Sequence, residues 1–274
     1  MIEALDHLAI AVDALGPAAL AYEALLGHAA AREAPQGGAE RAWFHLPNIS
    51  LELIAPAGDG PAGDRVRARL AETGEGLWLM AFAAEDLAAT GRTLARRGVA
   101  TAPAPGSASG ALMADAASVG DLGMVFVPAA PPRAPSPVIG DPLASMAGLD
   151  HVVIQTPNPD RAAALYGARL GLDLRLDRTN PQWGNRLMFF RCGGLVIEIG
   201  HGLAGGVSDA PDRFGGLAWR AADPVAVQAR LAGLGCNVSE VRPGRKPGTH
   251  IFTVRDGTCG VPTVVLSVEP HDRT

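Results

Sequence analysis

The chain has no stretch near the roughly 20 consecutive apolar residues that a membrane-spanning helix needs. It also lacks a basic stripe or an arginine run interleaved with aromatic residues, and its formal net charge is −5, so we expect no nucleic-acid partner. The first residues, MIEALDHLAI, have no basic region ahead of an apolar one, which argues against a signal peptide. These absences predict a cytoplasmic globular protein.

Cysteine is scarce, and the common catalytic motifs are missing. Cys192, Cys236 and Cys259 form no CxxC pair, so we expect reduced thiols that pack as small apolar side chains. We find no phosphate-cradling glycine loop, no nucleophile elbow and no serine or cysteine with an evident catalytic partner. Nucleotide-binding and nucleophilic enzymes are therefore not indicated.

An internal repeat organises the sequence. The segment LDHLAIAV, which begins at Leu5, returns as LDHVVIQT at Leu149. Residues of the same type follow both histidines at identical offsets: Tyr22, Leu26 and Gly27 after His7, and Tyr166, Leu170 and Gly171 after His151. Further along, RAWFHLPNISLELIAP parallels RLMFFRCGGLVIEIGHG, and EDLAATGRTLARRGV parallels ADPVAVQARLAGLGC. The chain is thus four modules in the order A, B, A′, B′.

Each module follows one plan. An apolar or alternating run comes first, then a helical pattern with proline near its start and glycine at its end, then short strands separated by turn residues. This predicts an α+β fold of four βαβββ modules. We place an N-terminal domain at residues 1–131 and a C-terminal domain at 148–274. The proline-rich segment 132–147 is predicted to be a linker that neither holds a helix nor pairs in a sheet.

Both copies place a histidine and a glutamate on the less bulky face of their strands. His7 alternates with Leu8 and Ile10, and Glu52 alternates with Leu51 and Leu53, so the large apolar side chains point to the opposite face. His151 and Glu198 repeat this arrangement. A glutamate between apolar neighbours is costly unless it is paired or bound. The two His/Glu pairs are therefore predicted to line a cavity.

The segments LDHLAIAV, PNISLELIAP and ETGEGLWLMAFAAEDL resemble the vicinal oxygen chelate superfamily, which includes glyoxalase I, methylmalonyl-CoA epimerase, bleomycin-resistance proteins and extradiol dioxygenases. The resemblance covers nearly the whole chain outside the linker. It implies that the modules form two curved-sheet half-barrels. It also implies a divalent metal (Zn, Mn, Fe, Co or Ni) held by residues of the first and last strand of a module: His7, Glu52, His151 and Glu198.

Such a metal would polarise a carbonyl of a small oxygen-bearing substrate and stabilise an enediolate. Glu52 or Glu198 would then be the catalytic residue that moves the adjacent proton, as in a glyoxalase-like lyase or an isomerase or epimerase. The alternative is a metal-free protein that binds a small molecule for resistance or sequestration. The third reading is an extradiol ring-cleaving dioxygenase.

Modules B and B′ depart from the superfamily pattern. Their first strands, in GLWLMAFAA and FGGLAWRAA, lack the histidine, and their last strands, LGMVFVP and PTVVLSV, lack a carboxylate. Two ligands are few for a catalytic metal, which usually has three. A four-ligand site would need module A to meet A′, within the chain or across a homodimer, unless His250 supplies a third ligand. The missing ligands in B′ argue most strongly against the extradiol dioxygenase hypothesis.

The entry to one strand of A′, RTNPQWGNRLMFF, is unusually polar. Trp183 and Arg186 in this segment are candidate contacts for an anionic or aromatic substrate, and His250 is a third candidate. Equally, Trp183 could be a packing residue and Arg186 a strand-edge charge. We favour the A′ half as the ligand site.

Overall fold

The computed structural model describes residues 1–105, 110–244 and 247–267. One order of elements (strand, helix, three strands) recurs in four consecutive modules. Module A contains β1 (Ile2–Ala11), α1 (Leu15–Leu26), β2 (Ala31–Gln36), β3 (Ala39–Leu46) and β4 (Ile49–Pro56), and is followed by α2 (Pro61–Thr73). Module B contains β5 (Gly76–Ala84), α3 (Leu87–Arg96), β6 (Thr101–Pro103), β7 (Leu112–Ala114) and β8 (Gly123–Pro128).

The second half repeats this order. Module A′ contains β9 (Met146–Gln155), α4 (Pro159–Ala163), β10 (Asp173–Asn180), β11 (Asn185–Cys192) and β12 (Leu195–Gly202). Module B′ contains β13 (Arg213–Ala221), α5 (Pro224–Gly233), β14 (Arg242–Pro243), β15 (His250–Val254) and β16 (Thr263–Ser267). In A′ the helical turn continues beyond α4 as a π-helical segment, Ala164–Arg169.

The strands form two eight-stranded mixed sheets, with orders β2-β3-β4-β1-β5-β8-β7-β6 and β10-β11-β12-β9-β13-β16-β15-β14. In the second sheet, β11 pairs antiparallel with β10 and β12, while β12 pairs parallel with β9. The fold is α+β, and the four βαβββ modules form two curved-sheet half-barrels, which confirms the predicted fold class. No helix within the described ranges is long and apolar enough to cross a membrane.

The chain divides into two compact units that each combine modules from both halves. The first unit comprises Met1–Leu8, Trp78–Pro132 and His151–Gly215, so it contains modules B and A′. The second comprises Ala9–Leu77, Arg133–Asp150 and Gly216–Thr274, so it contains most of module A together with B′. The domain boundaries expected from the repeat, 1–131 and 148–274, describe the repeated sequence and remain a prediction.

Local sequence explains how the helices begin and end. The Asn158 side chain accepts a hydrogen bond from the Arg161 backbone N–H at 3.0 Å, and Pro159 follows it, as predicted for the start of α4. The Asp223 carboxylate caps α5 in the same way. Helix α1 ends at Gly27, whose φ of +71° lies in the left-handed region that glycine adopts readily.

The predicted packing faces are buried. Leu8 and Ile10 in β1, and Val152 and Ile154 in β9, have no solvent exposure. These residues alternate with the two repeated histidines, so strand parity separates the core face from the histidine face as the sequence indicated.

The proline-rich segment is attached to module A, contrary to the prediction that it would not pair. Ser136 exchanges hydrogen bonds with the His45 backbone, its N–H donating at 2.7 Å and its Oγ accepting at 3.0 Å. Val138 forms a β-bridge with His28, and the Ile139 N–H donates to the Gly27 carbonyl at 2.8 Å. Pairing is possible because the residues between the prolines keep their N–H donors.

Candidate functional site

His151 and Glu198 form a side-chain pair inside the first unit. β9 and β12 run parallel with His151 opposite Val196, which places Glu198 two residues further along on the same face. His151 Nε2 lies 3.3 Å from Glu198 Oε2, and the side chains are 17% and 18% exposed. At this distance an imidazole and a carboxylate lie side by side on one strand face. The pair can therefore present a fixed polar group to a small molecule.

Glycines border the face that carries His151. Gln155 lies on this face, four residues along β9, and a Cβ added to Gly200 would come within 3.0 Å of the Gln155 amide nitrogen. A Cβ on Gly215 would lie 2.9 Å from Val153 Cγ1. Any larger residue at Gly200 or Gly215 would thus have to displace side chains from the histidine face.

The other two residues of the predicted ligand set have partners of their own. Glu52, on β4, is 7% exposed, and its Oε1 accepts a hydrogen bond of 2.8 Å from Arg41 Nε. His7 Nδ1 lies 2.6 Å from an Asp6 carboxylate oxygen. The Arg41–Glu52 ion pair is a feature that sequence analysis missed, although the matching positions of Arg41 and Arg186 in the repeat were a usable signal.

The described donor side chains do not group around a common point as the ligands of a divalent metal would. Within residues 1–105, 110–244 and 247–267, no three His, Cys, Asp or Glu side chains are grouped so that they could hold a metal ion. His250, the candidate third ligand, lies at the exposed start of β15, where its backbone N–H donates to Ser267 Oγ at 2.9 Å. The arrangement of donors does not fit a three-ligand catalytic metal site.

The predicted substrate contacts Trp183 and Arg186 lie at the β10–β11 hairpin. Arg186 donates from Nε and a terminal nitrogen to the two Asp177 oxygens at 2.9 and 2.7 Å, and from its other terminal nitrogen to Asp160 at 2.9 Å. These bonds hold the pKa of Asp177 below its usual range. Trp183 is 52% exposed, and the Arg178 guanidinium lies 5.9 Å from its ring centroid. Arg186 therefore contacts two carboxylates, while Trp183 is about half exposed beside Arg178.

A cavity of about 510 Å³ lies at the end of β9 and β12, under the loop that leads to β13. Gln155, His201, Ser208 and Arg213 are among the polar residues that line it, and Pro157 and Pro211 contribute apolar wall. The volume falls within the range of small-molecule pockets. We refer to it as the loop cavity. Sequence analysis did not single out His201, although it stands in the segment VIEIGHG, three residues after Glu198.

A buried ion pair supports the loop-cavity wall. The Asp212 side chain has no solvent exposure, and its Oδ1 accepts from an Arg161 terminal nitrogen and from Thr156 Oγ1, both at 2.7 Å. Arg161 also donates to the backbone carbonyls of Asp209 and Ala210 at 3.1 and 2.7 Å. Because charge-assisted hydrogen bonds of this kind are strong, they hold the loop in one conformation.

Two titratable groups of the first unit are kept neutral. Burial raises the pKa of Tyr166 well above its ordinary value, and the Asp212 carboxylate raises it further. Burial also raises the pKa of the Cys192 thiol to about 12. Neither group can act as a proton carrier near neutral pH.

Comparison with two solved structures, the first two described here, shows the same fold. A mutant of 4-hydroxymandelate synthase from Streptomyces coelicolor is 14% identical, with a TM-score of 0.72 over 97% of this chain and 93% of that one. A xylose isomerase-like TIM barrel/4-hydroxyphenylpyruvate dioxygenase fusion protein is 14% identical, with a TM-score of 0.70 over 97% of this chain and 49% of that one, so this chain spans about half the fusion protein. Methylmalonyl-CoA epimerase from Mycobacterium tuberculosis is 24% identical over 46% of this chain and 90% of its own, with a TM-score of 0.39.

Family profiles match both halves of the sequence. Residues 6–115 match one profile of the Glyoxalase/Bleomycin resistance protein/Dioxygenase superfamily, and residues 148–263 match another. A search among curated proteins found no match. The two matched ranges together exceed half of the chain and agree with the vicinal oxygen chelate resemblance. The chain therefore belongs to the Glyoxalase/Bleomycin resistance protein/Dioxygenase superfamily.

Proposed function

We propose that this protein binds a small oxygen-bearing molecule on the His151–Glu198 face of module A′, without a divalent metal. One observation carries the proposal: the described residues group no three His, Cys, Asp or Glu side chains that could hold a metal ion, and a cation already holds Glu52. Arg41 holds Glu52 at 2.8 Å, and His151 lies 3.3 Å from Glu198. This is the metal-free alternative that the sequence left open.

The cost of releasing these carboxylates supports the proposal. Glu52 is 7% exposed, so a metal that took it from Arg41 would leave a cation without its partner at a poorly hydrated position. A catalytic metal usually has three protein ligands, and the described part of the chain groups no such set. A ligand that hydrogen-bonds to the existing pairs needs neither change.

The His151–Glu198 pair supplies recognition in this proposal. Because the carboxylate fixes the imidazole, the ring can meet a carbonyl or hydroxyl oxygen with little loss of conformational freedom. The absence of a Cβ at Gly200 and Gly215 lets the Gln155 and Val153 side chains lie close to these strands on the same face. The proposed role is therefore binding or sequestration, in which a preformed polar pair presents its hydrogen-bonding groups to the ligand.

The rival function is a metal-dependent isomerase or lyase that acts through an enediolate. It requires a metal that polarises the substrate carbonyl. The ring-cleaving dioxygenase reading requires ferrous iron in addition. The 4-hydroxymandelate synthase mutant and the dioxygenase fusion protein support neither hypothesis for this chain, because sequence identities of 14% establish only the fold.

Metal content tests the proposal. Protein without a histidine tag would be incubated with Zn, Mn, Fe, Co or Ni, desalted and measured by mass spectrometry, beside His151→Ala and the exposed-site variant His250→Ala. We expect well under one metal per chain in all three proteins, and binders from a thermal-shift screen that keep their affinity in a chelator and lose it in His151→Ala. About one tightly held metal per chain, lost in His151→Ala, would instead establish the isomerase or lyase reading.

A further inference from the structure

The loop cavity contains a polar set that the proposed function does not use. His201, Ser208 and Arg213 make up this set, Gln155 lines the cavity from the end of the histidine face, and no Asp or Glu is among the lining residues. His201 lies three residues after Glu198 along β12, so it belongs to the opposite strand face from the His151–Glu198 pair. Gln155 lies four residues from His151, which is about 13 Å along an extended strand. The cavity is therefore a different place from the paired site.

One ring nitrogen of His201 hydrogen-bonds to the protein, and the other has no hydrogen-bond partner among the described residues. The residue is 5% exposed, and its Nδ1 lies 3.0 Å from the Thr156 carbonyl oxygen. A carbonyl only accepts, so Nδ1 carries the hydrogen, and in this tautomer the lone pair is on Nε2. Within the described residues Nε2 has no hydrogen-bond partner. A buried histidine that lines a cavity in this state offers an acceptor to a hydroxyl group.

Arg213 supplies the positive charge of the loop cavity. Its side chain is exposed, and among residues 1–105, 110–244 and 247–267 no carboxylate forms an ion pair with it. A guanidinium presents its donors in a planar fork that matches a carboxylate. Because Arg213 is the one lining side chain with a fixed charge and no lysine joins it, the cavity suits a single negative charge better than a doubly charged phosphate.

The loop that forms the cavity is held in place. Arg161 binds the Asp209 and Ala210 carbonyls and the buried Asp212 carboxylate, all on the segment that leads to Arg213. The Asp212 N–H donates to the Gly120 carbonyl at 2.9 Å. A wall fixed by these bonds loses little entropy when a ligand enters, which favours binding.

We propose that the loop cavity is a second binding site, which takes a small hydroxylated organic carboxylate. The Arg213 guanidinium binds the carboxylate, His201 Nε2 accepts from the hydroxyl, and Pro157 and Pro211 contact the carbon skeleton. This inference goes beyond the proposed function, since it uses other residues and does not depend on whether module A′ holds a metal.

Titration with 3-hydroxybenzoate tests the proposal, with neutral 3-hydroxybenzamide as the matched probe and ligand-observed NMR as the measurement. We expect millimolar or tighter binding of the acid and binding about 10-fold weaker for the amide, because the charge-assisted hydrogen bonds are lost. Arg213→Gln should weaken the acid about 10-fold, while Arg96→Gln, which removes an exposed arginine of α3, should leave it unchanged. His201→Phe, which removes the acceptor nitrogen, should abolish the preference for 3-hydroxybenzoate over benzoate.

Any of four results would contradict the proposed carboxylate site: no binding of 3-hydroxybenzoate, equal binding of acid and amide, wild-type affinity in Arg213→Gln, or tighter binding of inorganic phosphate than of the acid. His151→Ala separates this proposal from the proposed function, because it should leave 3-hydroxybenzoate binding unchanged. Thermal unfolding of each variant confirms that it is folded, and Arg213→Gln is a surface change that does not threaten the core.

Discussion

Arg161 and Asp212 meet at 2.7 Å at a position where the Asp212 side chain has no contact with solvent. The Arg161 side chain is 28% exposed, so the pair reaches from the surface of α4 into the interior of the first unit. Thr156 satisfies the same carboxylate oxygen from the end of β9. One buried carboxylate thus joins a helix, a strand end and the loop of the proposed carboxylate site.

Loss of Arg161 should destabilise the protein strongly. Arg161→Met leaves the Asp212 carboxylate buried without its counter-charge, and removing one partner of such a pair costs about 3–5 kcal/mol. We expect the free energy of unfolding measured in urea to fall by about 3 kcal/mol. Arg175→Met is the matched control, because Arg175 pairs with Asp173 at an exposed position and should change stability by less than about 1 kcal/mol. Equal effects of the two substitutions would contradict this prediction.

The coupling between His151 and Glu198 should be independent of metal. A double-mutant cycle of His151→Gln, Glu198→Gln and the double variant should give a coupling energy of about 1 kcal/mol, since the pair is only partly buried. The same cycle in a strong chelator should give the same value. A coupling that falls in the chelator would show that both side chains share a bound metal, contrary to the proposed function.

Acid should remove the contribution of the Asp177–Arg186 pair. The hydrogen bond and charge of Arg186 lower the pKa of Asp177 in the folded protein, so the stabilisation is present above the unfolded pKa of about 4 and is lost as the pH falls through the lowered value. The Asp177 side chain is 35% exposed, and solvent screening limits the gain to under about 1 kcal/mol. Urea unfolding should therefore show Asp177→Asn less stable than the parent protein at pH 7. The difference should disappear at about pH 2, and a difference that grows in acid would refute the assignment.

The thiols should react slowly in the folded protein. Burial raises the pKa of Cys192 and of Cys259 to about 12, with Glu75 and Asp13 adding to the effect at Cys259. Cys236 has a raised pKa as well but is more accessible. Because the thiolate is the reactive form, alkylation by iodoacetamide at pH 8 should label Cys236 first and Cys192 last. Peptide mapping measures the order, and labelling in urea should abolish it.

Raised thiol and phenol pKa values also predict alkaline sensitivity. Two thiols and two phenols have raised pKa values in the folded state, chiefly because they are buried: those of Cys192, Cys259, Tyr22 and Tyr166. Their contribution to stability is complete below the unfolded values of about 8.5 for cysteine and 10 for tyrosine, and it declines as the pH rises above them. The urea midpoint should fall between about pH 9 and pH 11, and a midpoint that rises there would contradict this sign.

Several features followed from local sequence. The offsets after His7 and His151 predicted the repeated module, and alternation along β1 and β9 separated the buried residues from the histidine face. Asn158 before Pro159 marked the start of α4, and Gly27 marked the end of α1. These signals depend on backbone geometry within a few residues, so a single sequence contains them.

Other features depended on residues far apart in the chain. Asp212 is one carboxylate in a polar loop until β9 and α4 bring Thr156 and Arg161 to it, 56 and 51 residues away in sequence. The proline-rich segment looked unattached, yet Ser136 reaches the His45 backbone across 91 residues. No local periodicity predicts these contacts, because they form only when distant segments of the chain pack together.

The sequence by itself determined the repeated βαβββ module, the face of each strand and the helix ends, because these follow from the local periodicity of apolar side chains and from the conformational preferences of proline, asparagine and glycine. Tertiary structure decided which modules share a compact unit, which partner holds each glutamate and where a cavity opens beside His201 and Arg213. These outcomes depend on the burial of charge and on packing between distant segments, where small differences in position decide whether a carboxylate meets a cation or another ligand.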